Sequence, residues 1–469
     1  MSFSQNFVWG VASAAFQIEG SARGDGCGPS IWDTFASAPG RVRNGDDGSV
    51  ACDHVGHLDE DVSLIGALGV GAYRFSISWP RVLPEGSGRI NAAGLDFYER
   101  LVDRLLEQGV QPWVTLFHWD MPEATFERGG WLTRRTVDAF EELTRVVVNR
   151  LGDRVRHWMP FNEPQVVFGL GHSVGEHAPG LKLAPAHVVR CVHHGLLAHG
   201  RAVEVIRGET RVAPVVGCAN YGEVYFPATE RDEDIEAARR ETMSVRSGDM
   251  WCFNNTWFGD PMVLGRYPDD GLALFGKHLP DQYEVDLETI HQPLDFYGVN
   301  IYQGRCVRAG DDGAEVLRHP PGIAETSFGW PIVPEVLRWG PRFLHERYGR
   351  PVIITENGCA MPDWVHSDGE VHDHTRIDFL TRYLGGLERA AQDGADIAGY
   401  FHWSIMDNFE WAEGYRMRFG LVHVDYETLE RTPKQSYHWY KNVVRGNGRA
   451  SSVNVERKYV DAAEAPAKS

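Results

Sequence analysis

Short, continuously apolar runs alternate along the chain with longer stretches in which apolar positions recur every three or four residues. The short runs cover residues 7–15, 72–78, 112–117, 155–161, 212–219, 294–300, 352–355 and 397–403. A strand buried on both faces has this unalternating pattern. The longer stretches, among them 95–106, 136–151, 187–206, 333–348 and 375–392, predict helices with one buried face. Eight strands with helices between them predict a single (β/α)8 barrel with long loops. A doubly wound sheet is the competitor. Its nucleotide-binding form needs a G-x-G-x-x-G turn after the first strand, and none is there. The glycine-rich run 24–28 follows no strand directly and opens no clear helix, which argues against a phosphate loop.

Segments 40–48, 308–322 and 361–373 predict loops inserted in one domain, since no linker divides the chain and no period repeats. That domain is read as residues 1–446. The polar, alanine-rich residues 447–469 are expected to form a loosely held tail.

Composition narrows the chemistry. The 469 residues carry a net charge of −19, against the basic face that nucleic acid requires and against affinity for an anionic membrane surface. No apolar run approaches the roughly 18 residues of a membrane span. The seven cysteines show no C-x-x-C spacing, so neither a disulfide framework nor a zinc site is expected. With no basic and then apolar leader pattern at the start, the expectation is a cytoplasmic protein with reduced thiols.

The strand ends carry the functional signal. Gln17, Arg74, His118 with Trp119, Asn162 with Glu163, Asn220, Asn300 with Tyr302, Glu356 and Trp403 each fall at or near the end of an apolar run. In a barrel these ends converge on one face. Two of them are glutamates, in Phe161-Asn162-Glu163-Pro164 and Thr355-Glu356-Asn357-Gly358. Paired carboxylates are the machinery of glycoside hydrolysis, one donating a proton and the other attacking the anomeric carbon or activating water. Trp119, Trp330, Trp403 and Trp411 add flat faces that suit either a core or a sugar ring.

With these motifs the chain resembles glycoside hydrolase family 1, the β-glucosidase-like enzymes, from about residue 7 to 444. The likeness rests on Phe7-Val8-Trp9-Gly10, Phe16-Gln17-Ile18-Glu19-Gly20, the run from Tyr73 to Arg81, and Leu116-Phe117-His118-Trp119-Asp120. It continues through the two glutamate motifs, His177-Ala178-Pro179-Gly180 and Asp407-Asn408-Phe409-Glu410-Trp411. The resemblance implies a retaining mechanism on a small-molecule β-glycoside without a cofactor. Glu163 would be the acid/base and Glu356 the nucleophile, with carboxyls about 5–5.5 Å apart. Arg74 and Tyr302 would support the nucleophile. Gln17, His118, Trp119, Asn162, Asn300 and Glu410 would hold the sugar, Trp403 and Trp411 would floor and flank it, and Trp330 would meet the aglycone. The Glu410-Trp411 pair, in place of a phosphate cradle, implies unphosphorylated sugars.

Three positions depart from the family pattern: Pro160 where threonine is usual, Thr256 in place of arginine, and His402 in place of a small or apolar residue. Pro160 sits just before the acid/base motif and is expected to disturb it. It is also the one feature favouring a catalytically impaired sugar-binding protein. A metalloenzyme is a third reading, on His193-His194 and His372-x-His374. Neither shows a recognised ligand spacing, so these histidines are expected to be solvated or capping.

Overall fold

Each apolar run holds a strand in the computed structural model, which describes residues 3–20, 26–311 and 313–448. The strands are β1 (Val8–Ala12), β2 (Ala72–Ser76), β3 (Gln111–Phe117), β4 (His157–Phe161), β6 (Tyr297–Asn300), β7 (Val352–Asn357) and β8 (Ile397–Trp403). Two short runs, Val215–Val216 and Asn220–Tyr221, together occupy the fifth position, β5. Every neighbouring pair is parallel, and β8 pairs with β1. Gly217 bridges Phe296 beside β6 and closes the ring, so the fold is a (β/α)8 barrel.

The continuous apolar runs are explained by two packed layers. Ala12, Trp113, Met159, Ala219, Phe296, Ile353 and Phe401 fill the barrel interior. Alternate positions, such as Val11, Val114, Ile354 and Tyr400, face the surrounding helices. Helix Arg135–Leu151 buries Val137, Phe140, Leu143, Val147, Val148 and Leu151, a stripe at helical spacing, and packs on helix Pro185–Glu209.

Interior rings leave no room on some strands. A Cβ on Gly10 would lie 2.4 Å from the Phe401 ring, whereas one on Gly208, near a helix end, would meet nothing within 4 Å. Gly10→Ala is therefore expected to lose about 1–3 kcal/mol through overpacking. Gly208→Ala should be neutral or gain about 0.4–1 kcal/mol. The two denaturation midpoints check this, and a Gly10→Ala midpoint at or above the parent's would contradict it.

Several boundaries differ from the sequence pattern. β1 stops at Ala12, because the Ser76 hydroxyl accepts the Ala15 N–H at 2.7 Å and starts a short helix, Ala15–Ile18, that carries Gln17. β6 begins after Asp295, whose carboxylate accepts the Val216 N–H at 2.7 Å and ties the loop to β5. Segment 308–322 is not a simple loop. Arg305–Gly310 and Gly313–Val316 form a hairpin beside Tyr225–Pro227, with Arg308 opposite Glu315 at 2.8 Å. Its charged, half-exposed alternation hid the strands. Residues 24 and 25 of the glycine-rich run and everything from 449 onward lie outside the described residues. Asn447 is joined to the fold, accepting from Trp9 Nε1 at 2.9 Å.

Candidate active site

The strand ends converge as the pattern requires, and most of their polar side chains form one hydrogen-bonded array. Arg74, in β2, donates from Nη1 to Glu356 Oε1 at 2.6 Å and from Nη2 to Asn162 Oδ1 at 2.5 Å. The Tyr302 hydroxyl donates to the other oxygen of Glu356 at 2.8 Å. Asn300 Nδ2 donates to Glu163 Oε1 at 2.9 Å and to Asn162 Oδ1 at 3.0 Å. Thr355 Oγ1 donates to Asn300 Oδ1 at 2.6 Å. Two of these partners, Arg74 and Asn300, bond Asn162 as donors, so its Nδ2 faces His118 Nε2 at 3.0 Å as the donor. His118 must then accept there and is neutral. Burial, and then the Arg74 charge, holds its pKa well below the usual histidine range.

Glu356 owes its direction to a bulge. Ile353 points into the barrel and Ile354 toward the outer core, so strict alternation would put Thr355 inside and Glu356 outside. The register slips between Ile354 and Glu356, pairing Glu356 with Asn300, and both side chains reach the site. Glu163 has a different device. It follows β4 at φ 44°, a left-handed conformation rare outside glycine, fixed by its N–H bond to Ala219 O at 2.8 Å. Trp119 and Trp411 are also left-handed, at φ 81° and 52°.

Pro160 leaves this geometry standing. The β3–β4 ladder passes over it, from Met159 to Phe161, and the Asn162 N–H bonds Phe117 O at 2.9 Å. Thr256 is buried with its hydroxyl on Met243 O at 2.9 Å, a local packing role. His402 is buried beside Trp403, with Nε2 3.4 Å from Phe419 O.

The two glutamates are not equivalent. Burial, and then the charge of Glu356, pushes Glu163 well above the usual carboxylate range, opposed by the Asn300 donor and Arg74. Burial also raises Glu356, opposed first by Arg74 and then by Tyr302, and its rise is the smaller of the two, so Glu356 is the first of the pair to ionise. Glu410 is pushed up to about 8 by burial and by Glu356, against the donor Gln17 Nε2 at 3.3 Å.

These groups open on a cavity of about 790 Å³. Glu163, Glu356, His118, Trp119, Tyr302, Trp330, Trp403, Glu410 and Trp411 line it. Trp411 packs 4.5 Å from Trp119, and His118 stacks 5.7 Å from Trp403. Arg74, Gln17, Asn162 and Asn300 are fully or almost fully buried behind this surface. The Gln17 side chain holds Asn408 Oδ1 and Phe409 O at 2.9 Å each, leaving its own Oε1 without a partner. Asn220 turns away from the cavity, bonding the Tyr297 hydroxyl at 3.1 Å.

Other lining groups were not singled out from sequence. Phe328 stacks on Trp330 at 4.5 Å, two residues along the same loop, and Phe419 joins them. Glu223, Arg246 and Met250 line the cavity from segments without a motif. Loop 361–373 contributes no lining residue. The His193-His194 pair is not solvated. His193 is buried between Tyr267 and Asp286, at 2.8 and 3.0 Å, and His194 bonds Trp131 O at 2.7 Å. His372 bonds Asp368 at 2.7 Å.

A buried, unequal carboxyl pair at the C-terminal face of a barrel, under an aromatic wall, defines a glycoside hydrolase site. The family model for glycosyl hydrolase family 1 matches residues 1–449, and the chain belongs to that family. It is 48% identical to β-glucosidase A of Thermotoga maritima, across 95% of this chain and 98% of that one. It is 41% identical to a bifunctional β-D-glucosidase/β-D-fucosidase of Bifidobacterium breve, across 95% and 98%. Among solved structures, the T. maritima β-glucosidase in complex with methyl acetic acid-substituted glucoimidazole superposes with TM-score 0.87 at 44% identity, covering 95% and 99%. The same enzyme with galacto-hydroximolactam gives 0.86 at 45%, with the same coverage.

Proposed function

We propose that the protein is a retaining β-glycosidase that removes terminal, non-reducing β-D-glucosyl residues from small glycosides, with Glu163 and Glu356 in its two central roles. The observation that carries this is the unequal surroundings of the two carboxyls. Glu356, gripped by Arg74 and Tyr302, is the ionised nucleophile. Glu163 keeps its proton for the leaving group. In the first step Glu356 bonds the anomeric carbon, the bond to the aglycone oxygen breaks, and the proton of Glu163 moves to that oxygen. In the second, water attacks the same carbon, Glu163 takes its proton, and the ester to Glu356 breaks. Two inversions return the β configuration.

Gln17, His118, Trp119, Asn162, Asn300 and Glu410 form the glycone set, Trp403 and Trp411 its aromatic surfaces, and Trp330 with Phe328 the aglycone platform. The names of the curated relatives support glucosides first, with fucosides as further substrates, and the galacto-hydroximolactam complex of the T. maritima enzyme supports galactosides. The impaired-binder reading has no support in a site with both carboxyls in place. A cytoplasmic setting fits the seven free cysteines. Among the described residues, no helix is long and apolar enough to cross a membrane.

Phosphorylated sugars should be poor substrates. The charged groups that shift Glu410 are the acids Glu356 and Glu413, so a phosphate there would meet like charge. On p-nitrophenyl β-glycosides the expected order is glucoside or fucoside first, then galactoside. The 6-phosphoglucoside should be roughly a hundredfold or more slower, for burial of an unpaired charge. Comparable initial rates on the phosphorylated and free glucosides would overturn this assignment.

A further inference from the structure

The hydroxyl of Thr355 is not used by the chemistry above, yet it is buried at the centre of the site. It donates to Asn300 Oδ1 at 2.6 Å, which leaves both amide hydrogens of Asn300 for the far side. One goes to Asn162 Oδ1 and the other to Glu163 Oε1. The orientation matters only when Glu163 is protonated. An ionised Glu163 would itself hold the amide this way round. A neutral carboxyl can also donate, and then a flipped Asn300 could accept from Glu163, with the acid proton turned inward to Oε1. Among the described residues no hydrogen bond reaches Glu163 Oε2, and Glu163 lines the cavity. The β7 bulge lets Thr355 and Glu356 occupy the same site.

We propose that Thr355 is a positioning residue for proton transfer: its hydroxyl holds the Asn300 amide against Glu163 Oε1 and so keeps the transferable proton on Oε2, facing the leaving group. This deepens the acid/base reading of Glu163 and rests on it. The side chain is suited to the test. The Thr355 methyl packs where Gly298 has no Cβ, so valine fits the same space without the donor.

Thr355→Val and Thr355→Ser are compared with the parent on methyl, p-nitrophenyl and 2,4-dinitrophenyl β-D-glucosides. Valine should lower kcat/KM about tenfold or more on the methyl glucoside, which needs full acid assistance, and less than about threefold on the dinitrophenyl glucoside. Serine should restore the parent values. The basic limb of the kcat/KM profile should move to higher pH in the valine variant, since the Asn300 donor is among the groups that hold Glu163 down. The charged and titratable groups facing Glu163 are Glu356, Arg74, Glu410, Tyr221 and Tyr302, and none is altered. An equal loss on all three leaving groups with an unmoved basic limb would mean a merely structural threonine and overturn the proposal. A parent enzyme silent on all three would instead overturn the acid/base reading. Should valine lower the melting point into the assay range, Thr355→Ala gives the same comparison.

Discussion

Glu356→Ala is expected to lose roughly 10⁴-fold or more in kcat, because no other group can form the covalent intermediate. Among the described residues, Glu356 is the only carboxylate that Arg74 bonds, at 2.6 Å, and Tyr302 binds its second oxygen at 2.8 Å. Alanine removes the anion and leaves a space of carboxylate size beside an unneutralised guanidinium. A small external anion such as azide or formate should fill it and attack the anomeric carbon from that face. Only one inversion then occurs, so from an activated aryl β-glucoside the azide product should be the α-glucosyl azide. Proton NMR of the product and the rate with and without azide check this. More than a few per cent of parental activity in a variant free of wild-type enzyme would remove Glu356 from the nucleophile role, and a β-configured azide product would do the same. Folding should survive, since Arg74 keeps Asn162, Thr115 and Thr355 O as partners.

The contrast between these partners and the outer cavity shows what a sequence can carry. Glu163, Glu356 and Tyr302 were legible because each lies at or just past the end of an apolar run, and parallel strands put such ends on one face; Arg74 stood out as a charge inside its run. The eight strands were legible because burial on both faces writes a continuous signal. Their ends were not. β1 stops where the Ser76 hydroxyl captures the Ala15 N–H, and β5 is split in two, both set by partners distant in sequence. The outer wall was the least legible part. Arg246 is held by Tyr225 and Glu241, groups brought together only by folding, and Met250 sits in a segment with no periodicity. Loop 361–373, read as an insertion, is drawn away from the cavity, with Asp363 and Asp373 fastened to Arg376. Pro160 looked disruptive in isolation. The backbone bonds of the following residues, Asn162 N–H to Phe117 O and Glu163 N–H to Ala219 O, hold the strand end in place despite it.

Glu163→Ala should separate substrates by how much acid help they need. On methyl or p-nitrophenyl glucosides kcat/KM should fall by about 10²–10⁴, the usual contribution of a positioned proton donor. On the dinitrophenyl glucoside the first step needs little protonation and should stay within about tenfold of the parent. The second step still lacks its base, so the glycosyl ester on Glu356 should accumulate and give a burst of dinitrophenolate followed by slow turnover. The pH profile should change in a defined direction. In the proposed mechanism activity needs Glu356 ionised and Glu163 protonated, so the parent's rate should fall below the lower apparent pKa of the pair and above the higher one. Because Glu163 is raised well above the ordinary carboxylate value, its loss should delete the basic limb and leave the acidic one. Azide should again accelerate turnover, but it now attacks the ester from the face Glu163 vacated, a second inversion that returns a β-glucosyl azide. The two alanine variants thus predict opposite anomers from one substrate and one anion. Exchange of those anomers would reverse the roles of Glu163 and Glu356, and the same anomer from both would end the double-displacement reading.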